Sequence, residues 1–112
     1  MKRDARAYLH DIREAGGRIM EFTSGMSLEE YRRNELVKAA VERKFAVIGE
    51  ALVGLRESYP ELTVRIVDAP RVIGFRNVLV HGYALIDDAT VWSAIESNLP
   101  ALLRDVEAVA GT

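Results

Sequence analysis

"VKAAVERKFAVIGEALVGL", residues 37–55, decides the fold. Its large apolar side chains fall at Val37, Val41, Phe45, Ile48, Leu52 and Leu55. The steps between them are four, four, three, four and three residues, which keeps all six on one face of an α-helix. A strand would instead alternate with a period of two. A continuous apolar stripe along a helix needs other helices to cover it. The stretch therefore predicts one rod of a helical bundle.

The flanking sequence extends the same reading. Upstream, Ser27-Leu28-Glu29-Glu30 has the form of a capping box, so one long helix is expected from there to about Leu55. Before it, Ala5, Tyr8, Leu9, Ile12, Ala15, Ile19 and Met20 recur at helical spacing from Lys2 to about Phe22, and Thr23-Ser24-Gly25 ends that helix. The Gly16-Gly17 pair inside it predicts a close helix contact or a bend. Downstream, Tyr59-Pro60 breaks the chain, and residues 61–67 are expected as a loop or a helical turn. Pro70 suits the first turn of a helix running to about His81, with Asp68 as its cap or N-terminal charge. Gly82 is expected in the left-handed conformation that ends it. Asp87-Asp88 opens a last helix with the stripe Val91, Ile95, Leu99, Leu102, Val106 and Val109, which Pro100 should kink or split. The expectation is an all-α, antiparallel bundle of four to five helices forming a single domain over residues 1–112.

Composition narrows the function. A chain of 112 residues that is 49% hydrophobic can build a core, but one this short buries a modest fraction of its surface, so dimerisation would help it. A net charge of -2 argues against coating nucleic acid by bulk charge while leaving room for a local basic cleft. With no cysteine, disulfides, thiolate metal sites and a Cys nucleophile are excluded. Two histidines do not make a His-rich metal site, and Asp11, Glu14, Asp87 and Asp88 have no metal-ligand spacing. No metal or cofactor is expected. No run approaches the ~18 apolar residues that span a bilayer, and the N-terminus is charged, so a cytoplasmic protein is expected.

The chemistry concentrates in "RNVLVHGY", residues 76–83. Asn77 and His81 are four apart and share a helix face, whereas Arg76 and His81 are about 140° apart around the axis. That is no ordinary salt-bridge pairing. A second copy packed by two-fold symmetry would bring both residue types into one cleft. An imidazole changes charge near neutral pH and suits general acid/base work. A guanidinium offers a fork of donors matched to a phosphate. Asn77 can hold a 2'-hydroxyl or orient His81, and Tyr83 places a hydroxyl just beyond the helix end. These groups suffice to cleave RNA without metal, giving a 2',3'-cyclic phosphate and a 5'-hydroxyl. Arg32-Arg33 reads as an exposed helical turn or a flank of such a cleft.

The motif Arg76-x4-His81-x-Tyr83, with Asn77 after the Arg, resembles the HEPN superfamily and more closely its HepT toxins, which pair with minimal nucleotidyltransferase (MNT) antitoxins. "AVERKFAVIGEAL" (residues 40–52), Tyr59-Pro60, "GFRNVLVHGYALID" (residues 74–87) and Val91-Trp92 are similar to the corresponding family segments, so the resemblance covers most of the chain. It departs where many relatives carry a Trp soon after the Tyr-Pro turn; here the segment is "ELTVRIVDAP". The resemblance implies a homodimer and a metal-independent endoribonuclease acting on mRNA or tRNA. Arg76 and His81 would be its catalytic pair and Asn77 an auxiliary residue. Tyr83 would be the hydroxyl that the antitoxin AMPylates. Glu50 lies in a matched segment and is equally readable as a cleft residue or a solvated one. Two other readings remain at this point: a non-catalytic nucleotide- or substrate-binding partner of a nucleotidyltransferase, and a plain dimerising scaffold.

Overall fold

A computed structural model describes residues 2–111 of the chain; Met1 and Thr112, the ends of the expected domain, lie outside them. The described residues form helices and no strand, as the apolar spacing requires: α1 (Ala5–Thr23), α2 (Leu28–Arg33), α3 (Glu35–Ser58), α4 (Pro60–Thr63), α5 (Ala69–His81), α6 (Asp88–Ser93) and α7 (Leu99–Ala110). A 3-10 turn, Tyr83–Leu85, follows α5, and a π-helical turn, Ala94–Asn98, joins α6 to α7. The central rod is α3, packed between α1 and α5, while α7 closes on the other side of α1. Val41, Phe45, Ile48, Leu52 and Leu55 are all at most 1% exposed. They meet Leu9, Ile12 and Ile19 of α1 and Leu99, Leu102 and Val106 of the last segment in one core. Met20, placed in the first stripe by its spacing, is 43% exposed and belongs to the surface.

Two helices differ from the sequence expectation for local reasons. The long second helix is broken at Asn34, which leaves helical geometry at ψ 89° and accepts a hydrogen bond from the Val37 N–H at 3.0 Å. An Asn carboxamide competes with the helical ladder in this way, so it starts a new helix rather than continuing the old one. The capping box at Ser27 and Glu30 is formed, but it caps only the short α2. The second difference is at Gly82, whose φ is -119°. Its N–H still donates to the Val78 carbonyl, and its own carbonyl accepts from Leu85, so the chain tightens into the 3-10 turn instead of reversing in the left-handed region.

Other expectations are realised with detail added. Pro100 lies just after a π-helical turn that separates α6 from α7. The Leu99 N–H reaches back to the Ala94 carbonyl, a five-residue step. This takes up one residue and places the missing proline N–H in the first turn of α7, where no partner is needed. Pro60 and Pro70 begin α4 and α5, and residues 61–67 hold a helical turn with Thr63 and Ile66 buried. Asp68 occupies the N-cap position of α5, but its carboxylate accepts from Asn98 rather than from the first-turn amides. Gly16 is a close contact, since a Cβ there would stand 2.7 Å from Leu103 Cδ2.

Where α2, α3 and α6 meet, a polar cluster sits under partial cover. Lys38 pairs with Asp88 at 3.1 Å. Tyr31 is fully buried against the Trp92 ring, and its hydroxyl has no hydrogen-bond partner among the described residues. Burial first, and the Asp88 charge second, raise the Glu42 carboxyl above its ordinary range, with Lys38 opposing. A carboxyl raised in the folded state stabilises the fold when protonated, and that stability is lost as pH rises through its folded value. Ionised Glu42 is therefore a cost at neutral pH. Glu42→Gln is expected to raise the denaturation midpoint at pH 7, with the gain shrinking as pH falls towards 4. A gain of equal size at both pH values contradicts this.

Candidate active site

The motif helix α5 is fixed by its first half. Ala69, Val72 and Ile73 are buried, and Phe75 meets Phe45 of α3 edge-on at 5.1 Å between ring centres. One residue further round the helix, Arg76 faces α3 directly at Gly49. A Cβ added at Gly49 would overlap Arg76 Cβ and Cγ, so only glycine permits this approach. The Arg76 side chain is consequently 20% exposed. Its Nη1 donates to Asn77 Oδ1 at 2.9 Å, and its Nη2 donates to Glu50 Oε2 in an ion pair. Nε is buried without a hydrogen-bond partner among the described residues. Both terminal nitrogens are thus engaged, one by a neutral amide and one by a carboxylate whose side chain is 67% exposed.

Arg76 lies in a groove of ≈ 770 Å³. Arg43, Val47, Glu50, Gly54 and Glu57 of α3 line it; α1 contributes Tyr8 and Asp11, and α5 adds Arg76 and Val80. A Cβ at Gly54 would overlap the Tyr8 ring, so a second glycine of α3 sets the α1 wall as Gly49 sets the α5 wall. His81 is the last residue of α5 and is exposed; it does not line the groove within one chain. Tyr83 stands 76% exposed in the 3-10 turn beyond it.

The structure therefore brings Arg76, Asn77 and Glu50 together and leaves His81 and Tyr83 outside that network. Sequence reasoning left Glu50 open between cleft and solvent. The adjacent Gly49 was a partial signal, since a glycine inside a helix often has a packing reason, but the sequence does not name the neighbour. Gly49 itself, Tyr8 and Arg43 were not singled out. Among the described residues, no group of three or more His, Cys, Asp or Glu is placed to hold a metal ion, and no helix is long and apolar enough to cross a membrane.

An all-helical bundle whose motif helix seats Arg76 beside Asn77 agrees with the HEPN resemblance of the motif. A family model described as ribonuclease HepT-like matches residues 12–109. Among curated proteins, the chain is 32% identical to MJ1380 of Methanocaldococcus jannaschii, covering 96% of this chain and 98% of that one. It is 35% identical to MJ1216 of the same organism, over 96% and 88%; both carry RNase names. It is 30% identical to a protein of Thermococcus cleftensis named as ribonuclease HepT, over 91% and 92%. No solved structure gives a significant match. The chain belongs to the HepT-like ribonuclease family.

The Gly49 contact is testable by contrast with Gly17, whose Cβ would meet nothing within 4 Å. Gly17→Ala is expected to leave stability unchanged or raise it by up to about 1 kcal/mol, because a helix-interior glycine is replaced. Gly49→Ala is expected to cost about 1–3 kcal/mol through overpacking. Equal effects of the two substitutions in chemical denaturation would remove the close-approach argument.

Proposed function

We propose that this protein is a metal-independent endoribonuclease, the toxin of a cytoplasmic toxin-antitoxin pair, acting as a homodimer through Arg76 and His81. The observation that carries the reading is the seating of Arg76: the motif arginine is held against α3 on the wall of an open groove, fixed by Asn77 and Glu50. In the proposed reaction an imidazole takes the proton of a ribose 2'-hydroxyl, and that oxygen attacks the adjacent phosphorus. The guanidinium stabilises the charge on the phosphoryl oxygens. The bond to the 5'-oxygen breaks, and that oxygen leaves with a proton from an imidazolium.

The dimer is supported by what α5 leaves uncovered. Val78 and Val80 near the end of α5 are 40% and 45% exposed, and Leu85 in the turn beyond it is 80% exposed. A second copy packed against the end of α5 would cover part of this apolar surface and bring a second His81 towards the cleft. The exposure of Tyr83 supports its role as the site modified by an MNT-type nucleotidyltransferase. Its phenolic oxygen would attack the α-phosphorus of ATP, releasing pyrophosphate and leaving AMP on the ring. The added charge beside the cleft would repel RNA.

Three substitutions test these roles. Arg76→Ala and His81→Ala are each expected to lower the rate of RNA cleavage by about 10²-fold or more with the helical circular dichroism intact, and to relieve growth arrest on expression. Tyr83→Phe is expected to cleave as well as wild type but to take up no AMP mass when incubated with the antitoxin and ATP. Wild-type cleavage by His81→Ala would overturn the catalytic assignment, and AMP uptake by Tyr83→Phe would overturn the modification site.

A further inference from the structure

The groove beside Arg76 carries an uneven set of charges. Arg43, Val47, Glu50, Gly54 and Glu57 all line it from one face of α3. Arg43 stands seven residues before Glu50 and Glu57 seven residues after it, so each is roughly 10 Å away along the axis. The other charged groups of the groove are already paired. Arg3 bonds Asp11 at 2.8 Å and lies over the Tyr8 ring, and Arg76 is paired with Glu50. Arg43 and Glu57 are exposed, and neither has an ion-pair or hydrogen-bond partner among the described residues. One end of the groove thus offers a free guanidinium and the other a free carboxylate.

We propose that Arg43 is a second phosphate-binding residue, so that the substrate is single-stranded RNA held over at least two backbone phosphates, running from Arg76 towards Arg43 and away from Glu57. The proposal rests on the reading above that this groove takes RNA. A second cation two helical turns from the first adds affinity for the strand without touching the bond that breaks. A single strand, unlike a duplex, has a backbone free to bring the 2'-oxygen in line with the leaving 5'-oxygen in a groove lined by α1, α3 and α5. The anionic end repels phosphate and fixes the direction of approach.

The test uses three RNA probes: a cleavable single-stranded oligonucleotide, the same oligonucleotide with 2'-O-methyl groups throughout, and a cleavable dinucleoside monophosphate. Arg43→Gln is expected to weaken binding of the methylated probe about tenfold and to raise KM for the cleavable oligonucleotide by a similar factor with kcat unchanged. It should leave the dinucleotide unaffected and reduce the salt dependence of binding by about one phosphate contact. Arg71→Gln removes an exposed arginine of α5 that lies outside the groove, and is expected to change none of these. Equal effects of Arg43→Gln and Arg71→Gln, or an equal loss on dinucleotide and oligonucleotide, would overturn the proposal. If the protein binds the methylated strand through Arg43 but cleaves neither substrate, the nuclease reading fails and the phosphate site stands. If it cleaves with no dependence on Arg43, the phosphate site fails and the nuclease reading stands.

Discussion

The close approach of α5 to α3 at Gly49 is the constraint on which the site depends. Arg76 Cβ and Cγ occupy the space that a Gly49 side chain would fill. The guanidinium is therefore delivered to the groove wall by backbone packing, before any of its own hydrogen bonds are counted. The Phe45–Phe75 contact one step round the helix holds the same interface from the apolar side. Packed interiors leave little freedom for such a pair to slide, which is the condition a group must meet if it is to stabilise charge on a phosphate without first reorganising.

Arg76 is held by one exposed carboxylate and one neutral amide. Glu50 neutralises the guanidinium in the absence of substrate, but its side chain is largely in water, where an ion pair contributes little net stability. If the groove takes RNA as proposed, an arriving phosphate would replace that carboxylate at modest cost, while the neutral Asn77 keeps the other nitrogen in place. The buried, unpartnered Nε is a further donor of the same group. A protein with net charge -2 can in this way keep a local cationic site.

The sequence was most legible where one period dominates. The stripes of α3 and of the Val91–Val109 segment predicted their buried residues almost completely, because burial of a helix face leaves a direct trace in spacing. It was least legible where short-range hydrogen bonding competes with the helix. Asn34 gave no apolar signal of the break it causes, and the π-helical turn before Pro100 depends on a five-residue bond that spacing does not encode. In the site, His81 and Tyr83 stand outside the Arg76–Asn77–Glu50 network, whereas Arg76 and Asn77, neighbours joined by a hydrogen bond, were both singled out by the motif. Glu50 and Arg43 were not, because a charged residue on a helix face looks the same whether it meets solvent or a groove. Gly49 marks the difference: a residue chosen for having no side chain is informative only once its neighbour is known.

The chemistry assigned to the guanidinium and imidazole groups is tested most directly by the ends they leave on RNA. Purified protein is incubated with a defined single-stranded RNA in excess chelator, and the products are read by phosphorus NMR and mass spectrometry. Attack by the internal 2'-oxygen predicts a 2',3'-cyclic phosphate on one fragment and a 5'-hydroxyl on the other. Fragments ending in a 3'-hydroxyl and a 5'-phosphate, or intact RNA, would contradict the account.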